Sequence, residues 1–418
     1  MGVGLAGMRK TWRIAEFRAL LVSYVINRAG DVIGALALAI IVLGATRSAI
    51  ATAALFLATQ FVPGLVGPFL VGRIGAIAPG RILPVCYLVE ACLFLVLAAV
   101  ARHTTVGLII ALAFADGTLA FAARSVTRAT TASTLIPHDL MPEGKAAFNV
   151  ALAAATVAGP ILGGAVLALL GPTTALAADG VSFLVAALLI VCTPGLRARS
   201  AHSASSPGTT RRRHLRATFG YVAGNASLRA LVFGEGIAFI FFYLVVPVTV
   251  IYATRSLHAG PAGYAAILAS WGAGAVIGST VHVRVARRVG HTGVLISTAA
   301  VAVAYVGTGM APTLFVACVC SVLGGVGNGT QWASVETAVH QLVDEQFRLR
   351  VSALLESMAA LAPGMGIVVG GALTALFSPR AAYLAAGAGL VVLIAVAALT
   401  RGFATGLRRD AAPSLGRA

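Results

Sequence analysis

Long apolar blocks, rather than a 3.6-residue stripe, organise this chain. Twelve can be marked off, at about residues 17–43, 49–72, 82–101, 105–126, 146–170, 173–193, 230–253, 262–286, 292–311, 313–338, 351–377 and 380–400. Blocks of about 20 apolar residues cross the roughly 30 Å hydrocarbon core as helices. Gly and Pro recur inside them, as membrane helices tolerate when neighbours re-satisfy the backbone. The pattern predicts an all-α polytopic membrane protein with twelve transmembrane helices.

Basic residues fall between the blocks. With the N-terminus placed in the cytoplasm, 25 of the 30 Lys and Arg fall on the cytoplasmic side and four (Arg47, Arg102, Arg255, Arg380) outside, leaving Arg28 within a segment. That asymmetry is a positive-inside signal and predicts two cytoplasmic termini. The longest polar stretch divides the blocks six and six. The expected organisation is a six-helix bundle over 1–193, a cytoplasmic linker over 194–229, a second six-helix bundle over 230–401 and a cytoplasmic tail over 402–418. The halves also repeat. Gly159 to Gly180 set against Gly366 to Gly387, an offset of 207, matches at ten of 22 positions. Two pseudo-symmetric bundles with substrate held between them are a transporter architecture.

Composition narrows the class. Hydrophobic residues make up 59% of the 418 and charged residues only 10%, against about 25% charged in soluble domains. A soluble enzyme is excluded, and so is a β-barrel, which needs short alternating segments. The net charge of +17 is an orientation and lipid-headgroup signal, not a nucleic-acid surface. The five cysteines all lie in apolar blocks without a disulfide or zinc spacing. No phosphate-cradling loop or nucleophile elbow occurs, so neither ATP-driven transport nor membrane enzymology is expected. No cofactor or metal is expected. High Ala, Gly and Arg with little Lys points to a GC-rich bacterial gene, hence to a bacterial plasma membrane.

Several motifs resemble the major facilitator superfamily, and within it the drug–proton antiporter branch that includes macrolide and siderophore exporters. Phe17-Arg18 followed by Asn27-Arg28-Ala29-Gly30-Asp31 resembles that branch's first helix. Ser48-Ala49-Ile50 with Gln60-Phe61-Val62-Pro63 resembles its second. Gly159-Pro160-Ile161-Leu162-Gly163-Gly164 resembles the antiporter motif of helix 5, and Asp344 to Val351 the start of helix 11. The acid usual in the loop after helix 2 is missing between Gly67 and Arg81, and its counterpart is missing between His282 and Gly290. The resemblance implies that helices 1, 4, 7 and 10 line a cavity, that the protein is a monomer, and that either another group latches the inner gate or the chain is a divergent member with altered cycling.

An ionisable side chain in hydrocarbon costs about 2.5–3.5 kcal/mol on insertion scales, so each needs a reason. Asp31 and Arg28 share a face of helix 1 one turn apart. A carboxylate in a partly desolvated cavity can take up a proton near neutral pH, and a cationic substrate or Arg28 would favour its release. A static ion pair that fixes helix packing is the alternative. Asp116 in helix 4 is a second candidate for coupling or substrate contact. Glu235 in helix 7 either lies at the inner mouth of the cavity or reaches the interface. Asn328 and Gln331, with Glu336, make helix 10 polar, and can hydrogen-bond a substrate or neighbouring helices. Phe239, Phe241, Phe242 and Tyr243 offer an aromatic surface for a lipophilic or cationic ligand, or simple packing. Glu90 and Asp179 read as structural, Glu90 as the partner of a basic residue. Gly159, Pro160, Gly163 and Gly164 form a steric device for close, bent helix contact.

The expected function is proton-coupled efflux of lipophilic or amphiphilic small molecules by alternating access. A narrow metabolite or siderophore exporter and a non-transporting membrane sensor are the alternatives.

Overall fold

A computed structural model describes residues 10–74, 77–101, 105–197, 220–289 and 292–399, without the side chains of 226, 281–289, 292, 336, 340, 346, 348, 349, 353 and 356. The greater part of the expected linker and all of the expected tail lie outside the described residues.

Eleven helices are long and apolar enough to cross a membrane, and one of them, Met141–Val191, spans 51 residues. It breaks at Gly171, whose φ of 81° suits a residue without a Cβ. Pro172 follows and cannot donate to the preceding turn. Counting that span as two gives twelve helices. These are α1 (Ala15–Thr46), α2 (Ala49–Ile74), α3 (Pro79–Val100), α4 (Val106–Leu135), α5 (141–170), α6 (172–191), α7 (Ser227–Ser256), α8 (Gly260–Val289), α9 (Thr292–Met310), α10 (Leu314–Leu342), α11 (Glu345–Leu376) and α12 (Pro379–Leu399).

α4 runs nine residues beyond the apolar block that announces it. Its last turns are polar, and Thr130, Thr131 and Thr134 satisfy their hydroxyls within the helix by donating back to the carbonyls of Val126, Thr127 and Thr130. Arg124, expected near the membrane edge, therefore sits within a continuous helix. α7 starts at a sequence-encoded cap: Asn225 Oδ1 accepts from the amides of Ser227 and Leu228 at 3.0 and 3.1 Å.

The chain divides into two compact units. One contains α1–α6 with Thr249–Gly272, and the other the remainder of α7 and α8 with α9–α12. In the first, α1 lies along α5 and α6, α3 against α6, and α2 against α4. Small residues set these contacts. A Cβ on Gly163 would meet Leu36 and Ile33 of α1, and one on Gly159 would meet Val32. Gly164 instead faces Ala265 of α8. The second unit uses the same device: Gly366 and Gly370 of α11 press on the carbonyls of Ile240 and Leu244 in α7. The repeat read from the sequence is thus also a repeat of packing, α5 on α1 and α11 on α7.

Candidate functional site

In the first unit, Asp31 is the centre of an ion-pair triad. Arg28 approaches it at 3.4 Å from the preceding turn, and Arg124 of α4 at 3.7 Å. Arg124 is a residue that sequence reasoning missed, having assigned it to orientation. The signal was available: Asp116, Ala120 and Arg124 follow i, i+4, i+8 spacing and share one face of α4.

Asp116 stands two turns before Arg124. Its Oδ1 is buried and has no hydrogen-bond partner among the described residues. Asp31 and Arg124 are its electrostatic neighbours. A break in the regularity of α2 helps set this place. Pro63 has no N–H to give to Thr59, and the turn Leu57–Phe61 widens into a π-helix. The Thr59 carbonyl lies against Gly117, where a Cβ would sit 2.8 Å from it. Only a residue without a side chain lets α4 come this close beside Asp116.

Glu90 of α3 and Asp179 of α6 are completely buried. Glu90 makes no hydrogen bond to a basic residue, contrary to the expectation that it partners one. Neither of its oxygens has a partner among the described residues. The Asp179 Oδ1 accepts from the Ser182 hydroxyl at 3.1 Å, while Oδ2 has no partner.

The second unit holds a different arrangement. Glu235 of α7 is buried, and its Oε2 accepts from the Gln331 amide of α10 at 2.9 Å. Gln331 Oε1 is buried with no partner among the described residues. One turn along α7, Phe239 packs on Trp332 with ring centroids 5.9 Å apart. The ring contacts continue through Phe242 and Tyr305 to Tyr383. Trp332 is 54% exposed, so one end of this aromatic row is open. Phe241 is turned onto Gly389 of α12. Asn328 is half-buried and makes no side-chain bond among the described residues. The side chain of Glu336 lies outside the described residues.

The offset of 207 relates the two arrangements. Arg28 corresponds to Glu235, and Arg124 to Gln331. The two bridges share their fourth-helix position: Arg124 of α4 reaches Asp31 and Gln331 of α10 reaches Glu235, while Arg28 contacts Asp31 within α1. In one, two guanidiniums share a carboxylate; in the other, a carboxylate meets an amide.

At the start of α11, Tyr221 stacks on Phe347 at 4.1 Å. Its hydroxyl donates to the Asp344 carboxylate at 3.1 Å and accepts from the Asp344 amide at 3.2 Å. The segment before α7 is thereby fastened to the loop before α11.

The family of transmembrane secretion effectors matches residues 6–412. No relative matches among curated proteins. Solved structures share the fold at low identity. A bacterial homologue of the human lysosomal transporter Spinster, inward-facing and occupied, is 15% identical with a TM-score of 0.68, covering 95% of this chain and 98% of that one. A bacterial homologue of the iron transporter ferroportin, inward-facing, is 15% identical with a TM-score of 0.66, covering 91% and 98%. The nucleoside transporter NupG is 12% identical with a TM-score of 0.64, covering 92% and 98%. Twelve helices in two repeated bundles and a family match over almost the whole length lead to one conclusion: the chain belongs to the transmembrane secretion effector family and is a transmembrane transporter of the major facilitator type.

Proposed function

We propose that the protein is a proton-coupled exporter of lipophilic or amphiphilic small molecules in a bacterial plasma membrane, with both termini in the cytoplasm. The observation that carries this reading is the unpartnered Asp116 oxygen beside the Asp31–Arg28–Arg124 triad. Asp31 is already compensated by two guanidiniums, so Asp116 is the better proton carrier of the pair. When Asp116 is ionised it competes with Asp31 for Arg124. When it takes a proton, Arg124 returns to Asp31. A proton thereby re-sorts the contacts between α1 and α4, and a rocking cycle needs such a coupling.

Substrate recognition is assigned to Glu235, Gln331, Phe239 and Trp332. A carboxylate with an adjacent aromatic row favours a cation with an apolar body. The fixed Gln331–Glu235 bond also favours a second reading, a narrow metabolite carrier, because an oriented polar pair discriminates between ligands. Asn328 and Glu336 remain candidates on the same helix. Gly159, Pro160, Gly163 and Gly164 are assigned to the close α1–α5 seam.

The test uses energised inverted vesicles with a pH-sensitive dye and a panel of lipophilic cations, macrolides and neutral compounds. Collapse of the gradient by a cation with wild-type protein and not with Asp116→Asn supports the proposal. Saturation by a single compound moves the reading to the narrow carrier. Collapse by a cation that is equal in both forms removes Asp116 from coupling, and no movement with any compound contradicts proton-coupled export.

A further inference from the structure

The first unit places four carboxylates, Asp31, Glu90, Asp116 and Asp179, in mutual electrostatic range. Two guanidiniums face them, Arg28 and Arg124, and both go to Asp31. Ionised carboxylates buried without a partner carry a large desolvation penalty, so the remaining acids need a positive charge each. Glu90 and Asp179 have the greatest need, since both are fully buried.

The surroundings of this pair narrow what supplies that charge. α1 gives up two side chains to make room: a Cβ on Gly30 would collide with Asp179 Oδ1 and with Ser182, and one on Gly34 with Asp179 Oδ2 and Phe94. Phe94 and Phe183 close against each other at 5.6 Å. The Asp179 carboxyl therefore lies against the backbone of α1 at Gly30 and Gly34, beside the Phe94 ring. Around the pair, α1 brings Asp31, to which Arg28 is paired, α4 brings Asp116 and Arg124, α3 adds Cys86 and Tyr87, and α6 adds Ser182. The ionisable groups of α5, Glu143 and Lys145, stand at its far start, and Arg197 follows α6. Among the described residues, no group of three or more His, Cys, Asp or Glu is arranged to hold a metal ion. A proton needs one oxygen and no coordination shell.

We infer that Glu90 of α3 and Asp179 of α6 form a second, occluded proton site at the junction of α1, α3 and α6, separate from the Asp31 triad. Each carboxylate binds one proton from the medium to become a neutral carboxyl, and each releases it during the cycle. Its role in transport rests on the proton-coupled reading above; proton binding itself does not. The consequence is that the first unit handles more than the single proton assigned to Asp116.

The experiment uses the full chain in lipid nanodiscs, with an infrared difference spectrum between acidic and alkaline medium. A carbonyl stretch of protonated carboxyl that shifts in D2O is expected. The band should lose one component in Glu90→Gln and another in Asp179→Asn, and both in the double variant, with any unequal split reflecting coupled titration. Ser182→Ala, which keeps both acids and removes one hydrogen bond, should shift the band without abolishing it, so a poorly folding acid variant does not decide the matter alone. A spectrum unchanged in both acid variants overturns the site, as does a carboxyl band that does not respond to the medium. Ethidium-driven proton movement in proteoliposomes is run alongside. If ethidium moves no protons in the wild type, the export reading falls, while the infrared result still decides the proton site.

Discussion

The two units share a scaffold and differ in how they carry buried charge. Both press a glycine-bearing helix onto their first helix, Gly159 and Gly163 on α1 and Gly366 and Gly370 on α7. In both, the fourth helix reaches the first from corresponding positions, Arg124 to Asp31 and Gln331 to Glu235. Yet the first unit's four acids, Asp31, Glu90, Asp116 and Asp179, correspond to Ala238, Ser297, Leu323 and Ala386 in the second. Among the described residues, the second unit instead has one buried carboxylate with an amide partner and an aromatic row. Charges that neutralise one another in a low-dielectric interior respond to the gain of a proton, because every pair must re-sort. A carboxylate beside an amide and open rings suits contact with a ligand. On the proposed reading, one repeat divides into a proton-handling half and a ligand-handling half.

Four substitutions sharpen or break that division. Asp116→Asn is expected to lower gradient-driven transport of a lipophilic cation by roughly two orders of magnitude, the scale of losing an essential proton-transfer group. Initial-rate measurements in proteoliposomes check it. Gly34→Val would drive side-chain atoms into Asp179 and Phe94, and overpacking of this kind costs about 1–3 kcal/mol or more. A lowered midpoint in a thermal unfolding assay is the expected result, with an unchanged midpoint breaking the described α1–α6 contact. Gln331→Leu leaves the Glu235 carboxylate without its donor, and ligand affinity should fall about tenfold, equivalent to about 1.4 kcal/mol. Equilibrium binding reads this out. Trp332→Ala removes a half-exposed ring, so affinity for aromatic cations should fall only about two- to fivefold, in line with about 0.5–1 kcal/mol for an exposed cation–π contact. A larger loss for Trp332→Ala than for Gln331→Leu would place the rings, not the polar pair, at the centre of recognition.

The sequence was most informative about the membrane helices. Hydropathy separates them because a span needs an uninterrupted apolar run, and Gly171-Pro172 falls in the gap read between the fifth and sixth blocks. Polar helix ends were harder to read. The threonine-rich end of α4 carries no apolar signal, so Arg124 looked like an orientation charge. Partners of buried acids were harder still. Glu90 was expected beside a base, but which helix faces it depends on contacts such as Gly180 against Ala91 and Leu95, and a single sequence does not encode these in any local pattern. Asn328 and Gln331 share a face by spacing, yet only Gln331 reaches Glu235, because the approach of α7 decides between them. The equivalence of Arg124 with Gln331 is present in the sequence and gains meaning only once each is seen to reach an acid on the first helix of its unit.

The most direct test of the division is proton release on ligand binding. Purified protein in weakly buffered detergent receives ethidium, with a pH-sensitive dye reporting protons and fluorescence reporting binding. Wild type is expected to bind and release protons. Asp116→Asn should bind with little change in affinity and release fewer protons, whereas Gln331→Leu should bind about tenfold more weakly and release protons only in proportion to the ligand bound. Full proton release from Asp116→Asn with intact binding, or intact binding by Gln331→Leu, would contradict the assignment of protons to the first unit and ligand to the second.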